Sequence, residues 1–192
     1  MRGTTARRLV VSAAMTILYG LAGGVVGCGA HDAHTSPSPP ASVTAARTYL
    51  AELARIAARD ATASRALNEV RIDWSAPATW GPALAAAEHL RHETAAIRRR
   101  LIALRPPSNF AVAHRALLDV YAISLDLVTE LLDGMRAARP SHEIYLRVRG
   151  LAEKQFLANA AFRHALQSAA TRSGVPIPPG IWRAYPTAEP EG

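Results

Sequence analysis

SNFAVAHRALLDVYAISLDLVTELLDGMRAA, residues 108 to 138, decides the fold class. Stepping about 100° per residue along it gathers Phe110, Leu117, Leu118, Tyr121, Leu125, Val128, Leu131, Leu132 and Met135 on one side, with Asp119, Asp126, Glu130 and Asp133 opposite. That is the pattern of a long amphipathic helix lying on a core. Pro106-Pro107 precedes it and Pro140 follows it, and both limit the helix, because proline offers no amide hydrogen and disfavours helical backbone in the residue before it.

Working outward, the same period governs most of residues 43–171, and no alternating run bounded by hairpin turns interrupts it. Four helices are expected: Val43 to Ile72, Thr79 to Leu104, Ser108 or Asn109 to Ala138, and Ser141 to Gly174. Pro82 is tolerable in a first turn, Ser141 can cap, Glu143 suits the positive end of a helix dipole, and Gly174 suits a helix stop. Short links between long helices favour antiparallel neighbours, so the expected fold is all-α, an up-down-up-down four-helix bundle over 43–174. Residues 175–192 form a proline-rich C-terminal tail, whose Ile181, Trp182 and Tyr185 suggest that its first part packs back on the bundle.

Ahead of the bundle, Met1 to Arg8 carries three arginines and no acid, and Leu9 to Val26 carries no charge, the order of an export signal. The stretch ends Val25-Val26-Gly27-Cys28. This resembles the lipobox of bacterial lipoproteins, in which aliphatic and small residues precede a cysteine. The resemblance implies that residues 1–27 are a signal peptide, that Cys28 takes a diacylglyceryl group, that a peptidase cuts before it, and that the new amino terminus can be acylated in turn, for instance with palmitate. It implies attachment to the cell membrane, on the extracytoplasmic face, through lipidated Cys28. Two or three acyl chains make such attachment effectively permanent, since each buried methylene contributes about 0.8 kcal/mol. Arg7-Arg8 is similar to a twin-arginine export signal, but Leu9-Val10-Val11 departs from its aromatic consensus, so the export route stays open. The general pattern resembles small helical lipoproteins of GC-rich bacteria.

Cys28 is the single cysteine, so no intramolecular disulfide can form. Residues 29–42, GAHDAHTSPSPPAS, have little to bury and read with Cys28 as a flexible tether. The chain carries a net charge of +7, which alone would invite a nucleic-acid reading. Loss of Arg2, Arg7 and Arg8 with the signal leaves 19 basic residues facing 15 acidic ones, a charge of +4. In a compartment without nucleic acid these are solvated helix faces, and nucleic acid is not the expected partner.

Some polar residues sit on apolar stripes. His114 falls within the apolar arc of the third helix, Asp60 shares the stripe of Tyr49, Leu53, Ile56 and Leu67, and Gln155 and Asn159 share that of Ile144, Val148, Leu151, Phe162 and Leu166. In an antiparallel bundle Asp60, Tyr121, Ser124, Gln155 and Asn159 reach similar heights and form a polar layer, either a register device or the floor of a small pocket. Glu88, His89, His92 and Glu93 cluster on the second helix and His31 and His34 lie in the tether, but neither spacing matches a di-iron or zinc motif, and no metal site is expected. No nucleophile elbow or phosphate-binding loop is present, so the chain reads as a non-enzyme without a cofactor.

The expected function is therefore that of a membrane-anchored binding or structural module of the cell envelope, with a protein, the membrane surface or a small ligand as partner. Two alternatives stand beside it: a small-ligand or metal-binding receptor using the polar layer, and an enzyme with an unrecognised site. The bundle end nearest the tether gathers Arg47, Arg98, Arg99, Arg100, Arg105 and Arg172, and is expected to face the membrane, with Trp182 as an interfacial anchor.

Overall fold

The computed structural model describes residues 41–73, 75–139 and 141–187. The fold is all-helical among the described residues: α1 (Ala41–Asn68), α2 (Gly81–Ala103), α3 (Ala111–Arg136), α4 (Ser141–Ser173) and α5 (Pro179–Ala184), with single 3₁₀ turns at Pro77–Thr79 and Ser108–Phe110. The signal peptide, Cys28 and all of the expected tether but Ala41 and Ser42 lie outside the described residues.

Helix boundaries differ from the periodicity where local hydrogen bonding wins. α1 opens on Ala41, taking in the last two residues of the expected tether, and stops at Asn68 rather than Ile72. There the ladder tightens, Val70 N–H donating to the Leu67 carbonyl at 3.3 Å. Val70 and Ile72 still pack on the core, but from an irregular segment. Asp73 fixes that segment: its carboxylate accepts from Ser75 N at 3.0 Å and Ser75 Oγ at 2.6 Å, and its carbonyl accepts from the Trp80 indole at 2.7 Å. The two Ser75 bonds also hold the Asp73 carboxyl below its usual range. With Trp80 so placed, α2 starts at Gly81 rather than Thr79, and Pro82 occupies its first turn.

α1 packs on α2, α2 on α3 and α3 on α4, the last most extensively, and α5 lies against α1, which meets α4 only sparsely. Ion pairs and a hydrogen bond give the directions. Glu52 meets Arg100 and Arg59 meets Glu93, so later residues of α1 face earlier ones of α2. Ser124 meets Gln155 and Glu130 meets Arg147, so α3 and α4 are likewise opposed.

Two apolar clusters result. The larger joins Tyr49, Leu50, Leu53, Leu101, Phe110, Leu117, Phe162 and Leu166 with Ile181 and Tyr185 from the C-terminal segment. The smaller joins Trp80, Ala87, Val128, Leu132, Met135 and Ile144. α3 crosses α4 tightly beside the smaller one, where a Cβ on Gly134 would stand 2.7 Å from Ile144 Cγ1.

α3 and α4 end alike. Arg139 N–H donates to the Gly134 carbonyl and Ala138 N–H to that of Met135, while Val175 donates to Ala170 and Gly174 to Thr171. Both are Schellman caps, which need a left-handed residue after the helix. Gly174 supplies it at φ +62, and Ala138 adopts it at φ +48. The C-terminal segment is thus not wholly an irregular proline-rich tail: it turns at Gly174, forms α5 and buries Ile181 and Tyr185.

Candidate functional site

Between the two clusters each long helix contributes a polar interval: Asp60 and Ser64 from α1, Thr94 from α2, Ser124 from α3 and Gln155 from α4. Ser64 and Thr94 are buried. Gln155 Nε2 donates to Ser124 Oγ at 2.8 Å, and Ser124 Oγ donates back to the Val120 carbonyl at 2.9 Å. Asp60 is partly buried and takes a hydrogen bond from the Tyr121 hydroxyl. Burial pushes its carboxyl up to about 6, outweighing the opposing pull of that bond.

The C-terminal segment closes this layer from the side. Tyr121 and Tyr185 are 1% and 2% exposed, with hydroxyls 2.9 Å apart. Tyr185 also meets Phe162 edge-on, ring centroids 4.9 Å apart. Asn159 Nδ2 donates to the Pro186 carbonyl at 2.9 Å and Arg163 to that of Tyr185 at 3.3 Å. Burial raises both tyrosine hydroxyls far above the usual phenol range, so both stay protonated, hydroxyl donors beside the Asp60 carboxylate. The buried Asn159 Oδ1 has no partner among the described residues.

Four of the five expected interior residues therefore lie in or beside this layer, in two groups: Asp60 with Tyr121, and Gln155 with Asn159 one helical turn away. His114 is elsewhere. Its Nδ1 is 3.0 Å from the Tyr49 hydroxyl, and the Leu101 carbonyl accepts from the ring. Desolvation lowers its pKa, so the ring is neutral at neutral pH, accepting from Tyr49 on one nitrogen and donating on the other. It is a satisfied histidine within the larger cluster.

Of the residues expected to face a membrane, Arg98, Arg99, Arg100 and Arg105 lie where α2 finishes and α3 begins. Arg99, Arg100 and Arg105 are exposed, and Arg100 pairs with Glu52. Arg98 is half-buried, and its Nε has no partner among the described residues. Trp182 does not project freely. It is half-buried, the Arg163 guanidinium lies over its ring at 4.9 Å, and it lines a shallow groove of about 400 Å³ with Val175, Pro176 and Ile177.

The α2 cluster is engaged on different sides: Glu88 pairs with Arg136 of α3 and Glu93 with Arg59 of α1. Among the described residues no group of three or more His, Cys, Asp or Glu side chains converges. No described helix is long and apolar enough to cross a membrane. No family model, curated protein or solved structure matches the chain.

Periodicity missed two contributions to these sites. Tyr49 was visible only as a stripe residue, since a helical wheel does not show that its hydroxyl reaches a histidine 65 positions away. Tyr185 sat in a proline-rich stretch, and its one signal was its spacing from Ile181 and Trp182.

Proposed function

We propose that this protein is an exported lipoprotein, cleaved before Cys28, anchored through that residue to the extracytoplasmic face of the cell membrane, and acting as a binding or structural module. The observation that carries the reading is the succession of Arg2, Arg7 and Arg8, the uncharged residues 9–26 and the ending Val25-Val26-Gly27-Cys28. The mature domain is an up-down-up-down four-helix bundle whose C-terminal segment fills the gap between first and fourth helices. Tyr185 occupies the space beside Asp60, which favours a partner met on the surface over a ligand held inside.

Metabolic labelling with a palmitate analogue tests the anchor. The wild-type protein should take the label, float with membranes and be open to protease on spheroplasts. Cys28→Ser should lose the label, because no other thiol can accept the diacylglyceryl group. Undiminished labelling of that variant would refute the assignment.

A further inference from the structure

We infer that the end of the molecule formed by the α2–α3 connection is a docking surface for an anionic lipid bilayer, with Ile102 and Val112 entering the interface and arginines one turn behind them engaging the headgroup phosphates. The inference rests on the anchored reading above for its geometry, and on three observations for its chemistry.

The first is charge. Residues 42–52, 95–116 and 168–181, which make up this end, hold seven arginines and one acid, Glu52. Glu52 is already met by Arg55 and Arg100. The opposite end is balanced, with Glu130 alone receiving Arg139 and Arg147.

The second is exposed aliphatic surface within that charge. Ile102 is 59% and Val112 71% exposed. Neither serves the core, and they flank the short connection at the very tip, one in the last turn of α2 and the other in the first turn of α3.

The third is their order along the helix axes. On α2, Arg98 and Arg99 stand four and three residues before Ile102, and on α3 Arg115 stands three after Val112, so each aliphatic shares a face with arginine. Because α2 runs toward the tip and α3 away from it, in both cases the aliphatic is the outer residue. The arginines sit about 5 Å further back. That is the order a bilayer interface requires, apolar groups at the acyl boundary and guanidinium groups among the phosphates. α1 also begins at this end, thirteen residues after Cys28.

The acylated full-length protein offers no free thiol, so a nitroxide placed at Ile102→Cys, Val112→Cys or the control Leu157→Cys reports from one site. Leu157 is 73% exposed on the flank of α4. In vesicles containing phosphatidylglycerol at low ionic strength, the labels at 102 and 112 should become accessible to oxygen and shielded from an aqueous nickel chelate, while 157 stays aqueous. Phosphatidylcholine vesicles or high salt should return all three to water. Replacing Arg99, Arg105 and Arg115 by glutamine, all three exposed and outside the core, should reduce the ratio of immersed to free tip by about fivefold per arginine. Labels at 102 and 112 that remain as aqueous as 157 on anionic vesicles overturn the proposal and leave the tip to an acidic protein surface. Immersion that ignores salt, lipid charge and the three substitutions overturns it equally. If Cys28 of the wild type reacts with the reagent, the anchor reading has failed instead. The same labels in full-length Cys28→Ser protein, bound to vesicles through residues 9–26, then still read the tip.

Discussion

Asp60 is one of few ionisable groups placed among the helices rather than on them. Its carboxyl is raised from 3.8 to about 6 by burial, so the folded protein holds the proton more tightly than the unfolded chain does. The proton therefore stabilises the fold: stability should fall as pH rises from about 4 to about 6 and level off above. Asp60→Asn, which keeps a hydrogen-bonding group beside Tyr121, should flatten that slope, and thermal melts at pH 4, 5, 6 and 7 would show it. A slope of equal size in the variant would mean the carboxyl is solvated in solution. Ala138 offers a second test. A left-handed alanine costs about 1–2 kcal/mol, more than the chain entropy that glycine adds to the unfolded state, so Ala138→Gly should stabilise the protein by about 0.5–1 kcal/mol in urea unfolding. Asp60 was legible because an acid on an apolar stripe stands out. Ala138 was not, since alanine carries no mark of left-handed backbone and only the donors from Ala138 and Arg139 reveal it.

Among elements, the α3–α4 pair is the firmest and its crossing is set by Gly134. A methyl there meets Ile144 Cγ1, an inner atom of a branched side chain that cannot swing aside, so Gly134→Ala should destabilise by about 1–3 kcal/mol, read by circular dichroism melts. Wild-type stability of that variant would show that α4 shifts along α3 at little cost. α5 is the opposite case, too short to be stable alone and helical because α1 and α4 receive it. Ending the chain after Gly174 would uncover Leu50, Phe162 and the Asp60 layer and remove Ile181 and Tyr185. We expect that truncation to lower the melting temperature by more than 10 °C or to prevent folding, given how little one or two kcal/mol leaves of a domain's stability. The four long helices were legible from period and prolines. α5 was not, because six residues beginning Pro179-Gly180 carry no readable period.

For the whole molecule, the division into two clusters has a dynamic consequence. All four long helices run through both, so the domain should melt in one transition, yet the smaller cluster has fewer buried side chains and no fifth helix over it. Hydrogen exchange should find amides of 83–90, 128–139 and 141–148 opening at lower free energy than those of 46–57, 113–121 and 160–170. Equal protection in the two sets would show that the polar layer is no boundary. The layer itself was readable as heights along antiparallel helices, whereas its closure by Tyr185 depends on a chain reversal at Gly174 that no periodicity encodes.

The same arginine-rich end gives the folded domain a permanent electric dipole along its length, and a dipole in a graded field feels a torque as well as a pull. Near an anionic surface the field decays within about 10 Å at ordinary salt, so only molecules within roughly that distance are turned. A protein free in solution would sample that shell rarely, but one held by a chain of a dozen residues or so returns to it again and again, and orientation then becomes a recurrent bias rather than an occasional event.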